Sequence, residues 1–79
     1  MTAIQKLIRK IETHPVRNDI TFDELFRYLR YHGYSCDRSR GSHAIFEKNG
    51  DVLVIPVHYK HVKPVYIRES VSHVKEEQK

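Results

Sequence analysis

The chain has 79 residues, 14 of them Lys or Arg and 10 Asp or Glu, giving a formal charge of +4, a pI of about 9.4, and six histidines that add charge in mild acid. A chain this short forms one small domain with a limited core, which argues against a deep substrate cavity of its own and favours an extended ligand or a partner protein on an open surface. The basic balance points to a polyanion rather than a neutral metabolite, the lone Cys36 excludes an internal disulfide, and no stretch reads as a signal peptide or membrane span, so the expected location is the cytoplasm.

Ile4, Leu7, Ile8 and Ile11 fall at i, i+3, i+4 and i+7 with polar residues between them, which predicts an amphipathic helix ended by Thr13-His14-Pro15. A short polar connector, Val16 to Ile20, follows. Thr21 and Glu24 then make a capping box for a second helix, whose apolar positions Phe22, Leu25, Phe26 and Leu29 lead up to a stop at Gly33. From Tyr34 the period changes to two. Tyr34 to Arg38 reads weakly as a strand, His43 to Glu47 more firmly, and Val52 to Ile55 as a β-branched third strand. Asn49-Gly50 is a favoured pair for a tight hairpin turn, so the second and third strands are expected to be antiparallel neighbours, with Pro56 ending the ladder or sitting at its edge. After a loop rich in His and Lys, Pro64 suits the first position of a third helix with a buried stripe of Ile67, Val71 and Val74. Lys75 to Lys79 reads as a frayed, solvated end.

The expected architecture is α+β: an α-β-β-β-α unit with a three-stranded antiparallel sheet, preceded by an extra N-terminal helix. Residues 1–20 form that helix and its connector, and residues 21–79 the main unit, within one compact domain. Side chains alternate across a strand, so Ala44 and Phe46 are expected to face the helices while His43, Ile45 and Glu47 face away. His43 then lies on the open face, beside Gly41 and Ser42 in the run Arg40-Gly41-Ser42-His43. Imidazole can take and give a proton near neutral pH, which suits general acid–base chemistry at a phosphodiester, and Gly41 permits a close approach or a positive φ.

These residues carry a resemblance. The segment from Thr21 to about Val74 resembles the HicA toxins of bacterial toxin–antitoxin pairs, small ribonucleases with a fold like the double-stranded-RNA-binding domain (dsRBD-like). It rests on a helix ending in His32-Gly33-Tyr34, on Arg40-Gly41-Ser42-His43 followed by Ala44-Ile45-Phe46, on the strand end Ile55-Pro56-Val57-His58, and on Lys63-Pro64 opening the last helix. Found in this order, the pieces are far more specific than any one of them. The resemblance implies that His43 is catalytic, that the target is mRNA, and that a HicB-type antitoxin partner blocks the active face.

The expected RNA-binding set is Arg38, Arg40, Gly41, Ser42, His58 and Lys60, with His43 catalytic, no metal and no cofactor. Each has a plainer alternative: His43 a surface histidine without a role, Ser42 a turn former, and Arg38, Arg40 and Lys60 solvated charges. His58 and His61 could pair on a metal, but no further ligand stands at clear spacing. Tyr59 and Tyr66 could stack on bases or simply pack against the last helix. Two other function classes fit the same basic surface. One is a non-catalytic double-stranded-RNA-binding module and the other a pure protein-interaction domain.

Overall fold

Thr2 opens the first helix, α1 (Ala3–Ile11), through a capping box: its hydroxyl accepts from the Gln5 backbone N–H while the Gln5 side chain accepts from Thr2 N–H. The computed structural model describes residues 2–38 and 41–77. Thr21 and Glu24 repeat the capping box at the start of α2 (Phe22–Tyr31), as their spacing predicts. The apolar stripe of α1 is spent on the core: Leu7 and Ile11 are buried, and Ile4 and Ile8 are half-buried against it. The connector is less polar than its composition implies, because Ile20 is fully buried and Val16 packs on the same cluster.

The three strands are β1 (Ser35–Asp37), β2 (His43–Lys48) and β3 (Asp51–Pro56), antiparallel in the order β1-β2-β3. The first is shorter than the sequence pattern suggests, since Tyr34 leaves the ladder to bury its ring. At the hairpin Asn49 and Gly50 have φ of +52° and +84°. Two successive left-handed residues make the turn whose twist matches the flanking strands, and Asn and Gly adopt that region at least cost. The strand parity is as expected. Ala44 and Phe46 of β2 and Leu53 and Ile55 of β3 are buried under the helices, while His43, Glu47, Val52 and Val54 face solvent and Ile45 is half-exposed.

The last helix, α3 (Pro64–Glu77), begins at the predicted proline and runs past the expected fraying point. Residues 75–77 are helical because Val74 is buried and Lys75 pairs with Glu12 at 3.0 Å. On its inner side Ile67, Ser70 and Val74 are buried and Val71 only half so; the Ser70 hydroxyl is satisfied by donating to the Tyr66 carbonyl at 2.8 Å. Two polar ties fasten the layers. The Tyr28 hydroxyl donates to Glu12 at 2.6 Å; burial alone would raise the Glu12 carboxyl, but the bonds from Tyr28 and Lys75 outweigh it and hold its pKa below the usual value. At the far end of the hairpin Asp51 accepts from the Tyr34 hydroxyl at 2.7 Å and meets His73 Nδ1 at 2.6 Å, joining α3 to the β2–β3 turn. The result is an α+β, dsRBD-like fold, α-β-β-β-α with both helices on one face of an open sheet and an additional N-terminal helix.

Candidate active site

The ladder register decides which loops share an end of the sheet. Asp37 pairs with Ile45, and His43 with Pro56, so the residues after β1, before β2 and after β3 all emerge together. That end also carries the start of α2: Phe22 packs on Phe46, and Thr21 bridges His61. The loop after β3 is held on both sides, since Val57 N–H donates to the Ser42 carbonyl at 2.9 Å and Val62 N–H to the Ile20 carbonyl at 2.7 Å.

His43 opens β2 with its side chain exposed, and Ser42 Oγ lies 3.2 Å from its Nδ1. This bond engages one ring nitrogen and leaves Nε2 without a hydrogen-bond partner among the described residues, the arrangement a proton-transferring imidazole needs. Gly41 precedes the pair with φ +76°, and a Cβ there would meet nothing within 4 Å. The glycine is therefore required by backbone conformation, and the space above it is open to a ligand.

Arg38 is exposed just beyond β1, with its guanidinium 4.9 Å from the centre of the Phe22 ring. A cation over an aromatic face keeps its charge while its position is constrained, so Arg38 is a placed cation at the His43 end. Its seat on Phe22 has no local sequence signal, because the contact joins segments that only the fold brings together. His58 and Lys60 are exposed on the loop after β3, the His58 ring 4.3 Å from that of Tyr59. Arg40 lies outside the described residues. The fold thus brings Arg38, Gly41, Ser42, His43, His58 and Lys60 to one end of the sheet, although no hydrogen bond or ion pair joins Arg38, His43 and Lys60 to one another. Lys63, at the other end of the same loop, adds an exposed cation that motif reading did not assign to binding; its ammonium stands 4.9 Å from the centre of the Tyr59 ring.

Other surfaces offer less. An apolar cleft of about 210 Å³ lies between the end of α1 and α3, lined by Ile11, Val16 and Val71 among others, and none of the His43-end residues borders it. Among the described residues no three His, Cys, Asp or Glu side chains converge as a metal site, and no helix is long and apolar enough to cross a membrane.

The fold is thus a small α+β, dsRBD-like domain whose open sheet carries an exposed histidine, a positive-φ glycine and flanking cations at one edge. The family model described as the HicA toxin of bacterial toxin–antitoxin matches residues 22–75, from the first residue of α2 to the last turn of α3. The chain belongs to this family and is the toxin component of such a pair. No curated protein and no solved structure gives a significant match.

Proposed function

We propose that this toxin is an mRNA-cleaving endoribonuclease whose His43 transfers a proton during metal-independent strand scission. The observation that carries the reading is the exposed His43 imidazole, bonded through Nδ1 to Ser42 at 3.2 Å, beside the open space over Gly41. In the proposed step the ribose 2′-oxygen attacks the adjacent phosphorus and the bond to the 5′-oxygen breaks. One proton leaves the 2′-hydroxyl and one is delivered to the 5′-oxygen. His43 serves as base or acid in that exchange, while Arg38, Arg40 and Lys60 hold phosphates and offset the charge gathering on the phosphoryl oxygens. Ser42 orients the ring and offers its hydroxyl to a phosphate oxygen. His58 supplies a second polar contact from the loop.

The partner that restrains this activity is a HicB-like antitoxin. An inhibitor of so small a domain has to cover His43 or the approach to it, and the open face beside it presents half-exposed Ile45 with Val52 and Val54 as apolar contact area. The loop from His58 to Lys63 offers positive charge to acidic partner residues. Expression in cells tests the reading: wild-type protein arrests growth and depletes mRNA, His43→Ala does neither, and co-expression of a cognate HicB-like antitoxin restores growth. Arrest by His43→Ala at equal protein levels would overturn the catalytic assignment.

A further inference from the structure

Tyr59 is a large aromatic that the core does not use. Its neighbour in sequence pattern, Tyr66, packs against the buried cluster, whereas Tyr59 is 42% exposed. Exposed though it is, the ring is not loose. The His58 ring lies 4.3 Å away at 39°, and the Lys63 ammonium stands 4.9 Å from the ring centre. The loop that carries it is tied at both ends, to the Ser42 carbonyl through Val57 and to the Ile20 carbonyl through Val62. Its start is also close to the chemistry, because Pro56, two residues before His58, is the ladder partner of His43.

We infer that His58 and Tyr59 form a base-stacking platform beside His43, so that the site takes single-stranded RNA and accepts an unpaired nucleobase next to the scissile phosphodiester. This rests on the ribonuclease reading above and adds to it the substrate class and a specificity-determining residue, Tyr59. Every nucleobase has a π face, so stacking on an aromatic side chain binds unpaired bases with little regard to sequence. A duplex keeps its bases stacked on one another and displays only phosphates and groove edges, to which a tyrosine face has nothing to add. The charges around the platform agree with a strand passing along the loop. Lys60 and Lys63 sit on the same loop as the rings, while the open sheet face carries the exposed Glu47, which repels phosphates. A base that joins the stack over Tyr59 takes the place of the Lys63 ammonium. That cation then moves to the adjacent phosphate, so no charge is left without a partner.

The test is equilibrium binding of the full chain to short RNA pools of mixed sequence, 2′-O-methylated so that they cannot be cleaved and carrying 2-aminopurine as a stacking reporter. Wild type, Tyr59→Phe and Tyr59→Ala are compared on single strands and on the same strands annealed to their complements, with melting curves to confirm that each is folded. The inference predicts that wild type prefers single strands and quenches 2-aminopurine, that Tyr59→Phe keeps both properties, and that Tyr59→Ala loses the quench and roughly ten- to hundredfold in single-strand affinity, with duplex binding unchanged. Equal affinity of wild type for single strands and duplexes, or single-strand binding by Tyr59→Ala as tight as wild type, would overturn it. Failure of the wild type to bind either form of RNA would instead strike down the ribonuclease reading on which the platform depends.

Discussion

Replacing Ile11 by Ala tests whether the helix that precedes the family-matched segment belongs to the same cooperative unit. Ile11 ends α1 and is 1% exposed, so the substitution removes fully buried side-chain atoms. Buried Ile→Ala changes cost about 2–5 kcal/mol, with the larger values where a sealed cavity remains. Here the side chain borders the cleft between α1 and α3, so part of the space it vacates joins a volume already open, and the expected cost falls in the lower half, about 2–3 kcal/mol. A domain of 79 residues has a total stability of about 4–12 kcal/mol, so the loss is a large share of it. At about 4–8 °C per kcal/mol for this size, the melting midpoint should drop by roughly 10–20 °C. Thermal unfolding followed by circular dichroism, with urea titration as a second measure, reads the effect. A single shifted transition supports the account. A cost below about 0.5 kcal/mol, the range of neutral surface changes, would mean that α1 is not part of the core.

Three further outcomes follow from the ties and turns. The bond from Tyr34, aided by His73 and opposed by burial, lowers the Asp51 pKa, so Asp51 stabilises the fold above its unfolded value near 4 and loses that contribution as pH falls through the lower folded value. Urea titrations from neutral pH down through that window should therefore show a steeper loss for wild type than for Asp51→Asn, and parallel curves would refute the tie. Gly50→Ala places a Cβ at φ +84° in the β2–β3 turn and should cost about 1–2 kcal/mol in the same assay. RNA cleavage measured well below the melting point should not change, since His43 stands at the opposite end of β2; a loss of activity there would couple the turn to the site. Neutralising Arg38, Arg40 and Lys60 together should weaken RNA binding across sequences and flatten the log–log salt slope by roughly 2, at about 0.7 per phosphate contact on a single strand. An unchanged slope would make them solvated charges.

Local patterns account for most of what could be read before folding. Both α2 boundaries, the Asn49-Gly50 turn and the alternation that exposes His43 depend on residues no more than a few positions apart, where capping, φ preference and strand parity act directly. The features that were not legible join distant segments. Arg38 on Phe22, Tyr28 on Glu12 and Asp51 between Tyr34 and His73 exist only once the sheet and helices are stacked, and no spacing rule announces them. The same reason explains residues 75–77, which composition marks as part of a frayed end and which are helical, with Lys75 paired to the distant Glu12; Gln78 and Lys79 lie outside the described residues. At the candidate site, Ser42 and His43 could be read as a pair because they are adjacent, whereas the nearness of the His58–Lys63 loop depends on the register of β3 against β2.

The central claim is that His43 does the chemistry, and RNA cleavage by purified wild type and His43→Ala, side by side in chelator, tests it most directly. The account predicts that His43→Ala keeps its melting midpoint and its RNA affinity while the cleavage rate falls by about 10²–10⁴, the usual loss for a general acid–base group. Cleavage at close to the wild-type rate by a folded His43→Ala protein would contradict it.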